Sequence, residues 1–255
     1  MSERINWTRE ELILCFNLYC KIPFGKMHKG NSEVIRLSKI INRSPSSITF
    51  KLGNFASLDP ELQQRNIKGL SHGSKGEKEI WDEFHHDWDR LIFESELLLA
   101  KRKGIILEKE ILLDETELPI GKEREAIIKT RVNQNFFRQA ILATYDFKCC
   151  ITGLNIVELL TASHIVPWSV DKKNRLNPQN GLCLNSIHDK AFDRGLITIT
   201  PDYKVLLSKQ VKQLKENKIL TDLFINFNAN KINLPQKFQP EKSFLEYHYE
   251  NIFLK

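Results

Sequence analysis

Between Thr161 and Gly195 the chain reads TASHIVPWSVDKKNRLNPQNGLCLNSIHDKAFDRG. This stretch constrains the fold more than any other. The apolar run Ala162-Ser163-His164-Ile165-Val166 is stopped by Pro167, so it predicts a strand that ends beside a loop. The loop, Ser169 to Gln179, is polar and closes at Asn180-Gly181, a dipeptide suited to chain reversal. Leu182-Cys183-Leu184 predicts the partner strand. Asn185-Ser186 then offers an N-cap for a helix carrying His188, Asp189, Phe192 and Asp193, which Gly195 ends. The expected order is strand, loop, strand, helix, with His164, Asn180 and His188 each near a junction. Singly, each of the three has an ordinary packing or turn explanation. In sequence, with their neighbours, they form a pattern that packing alone does not require.

The blocks SHIVPW, NGLCL and HDKAFDRGL resemble those of the HNH endonucleases, particularly the branch met in bacterial restriction enzymes. The resemblance runs over roughly residues 120 to 200. It extends more weakly over WTREELILCFNLYCKIPFGK and NFASLDP near the N-terminus. It implies a ββα hairpin-plus-helix holding one divalent metal, with His164 as the general base, Asn180 orienting the loop around it and His188 holding the metal. Many relatives carry Asp or His immediately before the base as a further ligand. Ser163 stands there in this chain, so Asp193 is the expected second ligand, with Asp189 in reserve. Mg²⁺ is the expected metal, with Mn²⁺ or other divalent ions able to substitute. Many relatives also carry a C-x-x-C-G knuckle for structural zinc. Here Cys149 fills its first position but Thr152 its second, and no second Cys pair follows, so no structural zinc is expected.

The net charge of +6 and the pI near 9.0 suit an anionic partner. The distribution is more telling than the sum. Residues 1–70 hold 11 basic and 6 acidic side chains, residues 71–100 hold 3 and 8, and residues 131–200 hold 8 and 5. Nucleic acid is therefore expected on the first and third regions. The sequence has neither a long apolar run nor a secretory signal, so a cytoplasmic protein without a membrane segment is expected. The five cysteines lack framework spacing and are expected to be reduced thiols.

Thr8 and Glu11 form a capping box for a first helix. Asn31 or Ser32 caps a second, and after Asn42-Arg43 the pair Ser44-Pro45 opens a third. That third helix is expected to bury Ile48, Leu52 and Phe55 and to turn Ser46, Ser47, Thr49 and Lys51 outward. Two helices joined by so short a turn suit a helix-turn-helix in a major groove, and equally an ordinary bundle with a solvated face. Residues 74–103 read as helical, with Trp81, Phe84 and Trp88 as packing residues and His85 and His86 as surface side chains. A long helix is expected from about Glu123 to Tyr145, with Arg131, Gln134 and Arg138 on one face for phosphate contact or for solvent. A hairpin at 197–207, a helix over 209–224 and a short helix from about Glu241 complete the reading.

The expected fold class is α+β: a helical, helix-turn-helix-like DNA-recognition domain over 1–103, a linker over 104–121, and a ββα-metal (HNH) nuclease domain over 122–255 with a C-terminal helical extension. The expected function is metal-dependent hydrolysis of phosphodiester bonds at a specific double-stranded DNA site, as in a restriction enzyme, by a homodimer. The competing expectation is a catalytically silent DNA-binding regulator that retains the fold.

Overall fold

Helix α1 (Arg9–Lys21) organises the N-terminal part of the chain, because ten consecutive residues, Glu11 to Cys20, are buried. Such a helix has no solvent face and must be packed from several sides. The computed structural model describes residues 6–66, 75–105 and 122–255, and side chains from residue 127 onward in the last range. Its contacts divide the chain into residues 1–139 and 140–255.

In the first unit α1 begins on the Thr8–Glu11 capping box. Asn31 caps α2 (Ser32–Ile41) through the amides of Glu33 and Val34. Asn42, in the left-handed region at φ 54°, and Arg43 turn the chain into Ser44, which caps α3 (Pro45–Leu58). The short α4 (Pro60–Gln64) follows, and then α5 (Lys75–Phe84) and α6 (Trp88–Lys103). The pattern over 74–103 thus forms two helices, because Asp87 caps a new one through the amide of Arg90. Phe16 packs against Phe55, Trp81 and Trp88 at ring separations of 4.9, 5.3 and 6.3 Å, as expected of an internal aromatic stripe. His85 is half-buried and stacks on Trp81 at 4.6 Å, so it is a packing residue, whereas His86 is exposed. Burial, with His86 beside it, lowers the pKa of His85 to about 4.

Helix α7 (Lys122–Thr144) matches the long helix read from the sequence. Asn133 donates to Asp89 at 2.7 Å and Lys129 pairs with the same carboxylate at 2.6 Å, contacts that group residues up to 139 with the first unit. The linker expected over 104–121 lies outside the described residues from 106 onward; Gly104, at φ 67°, caps the end of α6.

In the second unit β1 (Leu160–His164) pairs antiparallel with β2 (Gly181–Asn185), Leu160 opposite Asn185 and His164 opposite Gly181. The first strand lies earlier than the sequence suggests, ending at His164, three residues before Pro167. Helix α8 (Ser186–Asp193) starts directly from β2, with Asn185 as its cap. A second hairpin, β3 (Ile197–Ile199) with β4 (Val205–Leu207), follows as read. The single helix expected over 209–224 is two short ones, α9 (Lys209–Lys212) and α10 (Lys218–Leu223), the latter restarted by the Asn217 cap. Helix α11 (Lys242–Asn251) closes the unit. Helices and short antiparallel hairpins make this an α+β protein. No helix among the described residues is long and apolar enough to cross a membrane.

The knuckle at residues 149–154 is held by hydrogen bonds. The Cys149 amide donates to the Leu154 carbonyl, and the Thr152 hydroxyl accepts from the Leu154 amide at 3.2 Å. The Cys150 amide reaches the Cys183 carbonyl at 2.7 Å and fastens the knuckle to β2. All five cysteines are free thiols and buried.

Candidate functional site

His164 is the last residue of β1, where the hairpin opens into the long loop. One ring nitrogen, Nε2, donates to the Arg175 carbonyl at 2.8 Å, which selects the tautomer in which Nδ1 is the basic nitrogen. The Trp168 ring meets the imidazole edge-on at 5.5 Å, and the Arg175 guanidinium lies over that indole at 4.8 Å. The loop thus walls the imidazole on two sides. Burial depresses the His164 pKa, partly offset by the Arg175 carbonyl and by the charge of Asp193. Neutral pH therefore finds an uncharged imidazole able to accept a proton.

Asn180 is completely buried just before β2. Its Oδ1 accepts from the Val166 amide at 2.8 Å, and its Nδ2 donates to the Val166 and Asn174 carbonyls at 3.2 and 3.3 Å. Its own carbonyl accepts from the Ile165 amide. One amide side chain thereby ties the chain just after His164 to the far arm of the loop, a task that needs a donor and an acceptor on one group.

Asp189 and Asp193 lie four residues apart on α8, the spacing that puts two side chains on one helix face. Burial raises the pKa of both. The negative charge of Asp193 adds to the rise at Asp189, while Lys190, Arg194 and His164 temper it at Asp193. The Ser163 hydroxyl, on β1 beside His164, is buried without a hydrogen-bond partner of normal geometry. It lies near enough to the Asp189 carboxylate to hold back part of that rise. The charge of Asp193 is thus felt at both His164 and Asp189, and Ser163 at Asp189, where the end of β1 faces α8.

This grouping suits a hard divalent cation. Two carboxylates that repel one another are relieved by positive charge, and oxygen donors favour Mg²⁺ or Mn²⁺. Among the described residues no three His, Cys, Asp or Glu side chains are grouped so that they could hold a metal ion. The protein would accordingly supply two carboxylates and leave the other positions to water and phosphate, the usual pattern for Mg²⁺.

His188 is placed differently from its expected role. It is 1 % exposed, its Nε2 donates to the Leu223 carbonyl at 2.6 Å, and its Nδ1 accepts from the Asn185 side chain at 3.0 Å. Phe224 and Phe227 meet the ring edge-on at 5.5 and 5.9 Å. Both nitrogens are thus engaged within the fold, on a side of α8 different from that of Asp189. Burial pushes the Cys149 thiol up, but neighbouring His188, Thr152 and the knuckle backbone outweigh it and bring the pKa to about 7. Asp189, the reserve ligand, shares a helix face with Asp193, whereas His188 does not, a relation already present in the i, i+4 spacing.

Of the residues expected to touch DNA, Arg131, Gln134 and Arg138 are exposed along one face of α7. Ser46 is exposed and Ser47 and Thr49 are half-buried on α3. Their hydroxyls are partly committed to the helix, Ser47 to the Ser44 carbonyl and Thr49 to the Pro45 carbonyl. Lys51 does not face outward as expected. It pairs at 2.5 Å with Glu77, which is 0 % exposed and also accepts from Asn54 at 2.7 Å. A buried carboxylate needs a cation and a donor, and α5 brings this one against α3.

Residues 149–200, which contain the hairpin, the loop and α8, match the family model described as HNH endonuclease. No curated protein matches the chain.

Proposed function

We propose that this chain, whose residues 149–200 form an HNH endonuclease domain, is a restriction-type enzyme. In this reading it hydrolyses phosphodiester bonds at a specific double-stranded DNA site with the help of a divalent cation. The observation that carries the proposal is His164, held in one tautomer by the Arg175 carbonyl at the end of β1 with Asn180 fixing the loop around it, inside the stretch that matches the HNH endonuclease model.

In the proposed reaction Nδ1 of His164 takes a proton from a water molecule, whose oxygen attacks phosphorus while the bond to the 3′ oxygen breaks. Arg175, through its carbonyl, keeps the imidazole in the right tautomer, and Asn180 keeps the loop in place around it. Asp189 and Asp193 would hold Mg²⁺, which when bound stabilises charge on the phosphate and on the leaving oxygen. The depressed pKa of His164 keeps the base uncharged at neutral pH.

One base and one carboxylate pair serve one strand. A double-strand break at one encounter therefore calls for two copies, and a two-fold homodimer on a near-palindromic site is the simplest arrangement. Ser46, Ser47 and Thr49 are the proposed base readers, and Arg131, Gln134 and Arg138 the proposed phosphate contacts.

The competing reading, a DNA-binding regulator without activity, draws its support from Ser163 standing where relatives carry a metal ligand. Incubating the purified protein with plasmid and phage DNA, modified and unmodified, separates the two. Cleavage is expected with Mg²⁺ and not with a chelator, and His164→Ala should lower the rate at least about 100-fold while leaving DNA affinity near wild type. Binding without cleavage under every metal and substrate condition would favour the regulator.

A further inference from the structure

Beside the exposed face of α3 lies a pocket of about 450 Å³, within the size range of small-molecule sites. Its apolar wall is Phe24, Met27 and Phe50, and its polar edge is Lys29, Ser46 and Thr49. Phe50 is 58 % exposed, on a helix whose Ile48, Leu52 and Phe55 are completely buried. Covering a phenylalanine ring is favourable, so an aromatic ring left over a hollow is available to a ligand.

Charge narrows the class of that ligand. Among the described residues many basic side chains near α1 and α3 are neutralised internally: Arg9 by Glu83 and Glu94, Lys21 by Glu96, Arg36 by Glu33, Arg43 by Glu11 and Lys51 by Glu77. Lys29, at the pocket's edge, is exposed and makes no ion pair among the described residues. Ser46 lies at the same edge, and its hydroxyl has no internal partner among the described residues. An aromatic and thioether wall, a hydroxyl and an unneutralised ammonium together match a planar heterocycle attached to a phosphate.

We infer that this pocket receives one nucleobase extruded from the DNA helix, stacked on Phe50 and Phe24, with Lys29 on its phosphate and Ser46 on its polar edge. The inference takes its ligand class from the DNA-cleaving reading but does not depend on cleavage. It changes how α3 reads DNA: the hydroxyls of Ser46 and Thr49 meet a base within a pocket, and a base altered at its edge would be sensed there.

The probe is a fluorescein-labelled duplex of about 20 base pairs carrying one base opposite an abasic position, so that extrusion costs little. The fully paired duplex is the control, and anisotropy gives both affinities. Wild type should bind the unpaired duplex about tenfold tighter than the paired one. Phe50→Ala should abolish that preference without shifting the melting temperature, since the ring is already exposed, and Lys29→Ala should weaken both duplexes. His164→Ala should keep the preference, so failure of the nuclease reading leaves this one standing. Equal affinity of wild type for both duplexes would overturn the inference. So would an undiminished preference in Phe50→Ala. A Phe50→Ala variant that changes oligomeric state and leaves the preference intact would assign the pocket to a second copy of the chain instead.

Discussion

Replacing His188 by alanine separates a metal ligand from a structural residue by which property is lost. The side chain is 1 % exposed and holds the Leu223 carbonyl at 2.6 Å and the Asn185 amide at 3.0 Å. Alanine takes away the donor to the Leu223 carbonyl and leaves the Asn185 side-chain amide only its long contact to the Cys149 sulfur, at about 1–3 kcal/mol each. The edge contacts with Phe224 and Phe227 disappear as well. The total, about 3–6 kcal/mol, is a large fraction of the ~5–15 kcal/mol that stabilises an ordinary domain. A melting temperature lowered by roughly 10 °C or more is expected, with a matching fall in the urea midpoint. At a temperature where the variant is still folded, its affinity for Mn²⁺, read by calorimetry without DNA, should stay within about threefold of wild type. A variant that melts with wild type yet binds no Mn²⁺ would refute the argument and restore His188 as a ligand.

Three further outcomes follow from the same geometry. Asp189→Asn and Asp193→Asn should each abolish measurable Mn²⁺ binding and cleavage, while relief of carboxylate repulsion leaves the metal-free protein as stable as wild type or slightly more so; calorimetry and melting together check this. His248 is buried, bonded to Thr198 at 2.8 Å and to the Phe192 carbonyl at 3.1 Å, and burial lowers its pKa from 6.5 to about 4. The unfolded chain takes up this proton first, so the contribution is complete above 6.5, is lost as pH falls towards 4, and amounts to about 3 kcal/mol; urea titrations of wild type and His248→Gln should diverge across that window and in that direction. Exchanging Ser46, Ser47 and Thr49 together should alter sequence preference, whereas Arg131→Ala and Arg138→Ala should weaken binding to all sequences and flatten its salt dependence, as selection and salt titrations would measure.

Local chemistry made much of this legible in advance. The Thr8–Glu11 box, the Asn31 cap, the Ser44-Pro45 start and the Asn185 cap are each read from a few adjacent residues, and each lies where its pattern predicts. The hairpin-plus-helix order was equally plain, since Asn180-Gly181 and Asn185-Ser186 punctuate it. What escaped was direction. Residues 188 and 189 differ by about 100° around a helix, and which one faces the hairpin depends on how α8 is rolled. That roll is secured by the Leu223 carbonyl, 35 residues away in sequence, which no local pattern reveals. Lys51 failed for a related reason: the periodicity of α3 alone turns it outward, but the partner that recaptures it, Glu77, belongs to another helix. Over 209–224 the lysine spacing suggested one helix, and the competing cap at Asn217 won.

Gly195 gives helix α8 a dependence on timing. At φ 66° it turns the chain out of α8, and a Cβ there would stand 2.1 Å from the Ile252 carbonyl. Its own carbonyl accepts from the Leu254 amide, and the His248 ring stacks on Phe192 at 3.6 Å. Segments made some fifty residues later thus close one side of the helix that bears both carboxylates. A ribosome delivers residues in order. Throughout elongation from Gly195 to the 250s, the nascent hairpin therefore exists without the wall that seats this helix. The fold itself postpones the assembled site until nearly all of this sequence has been made.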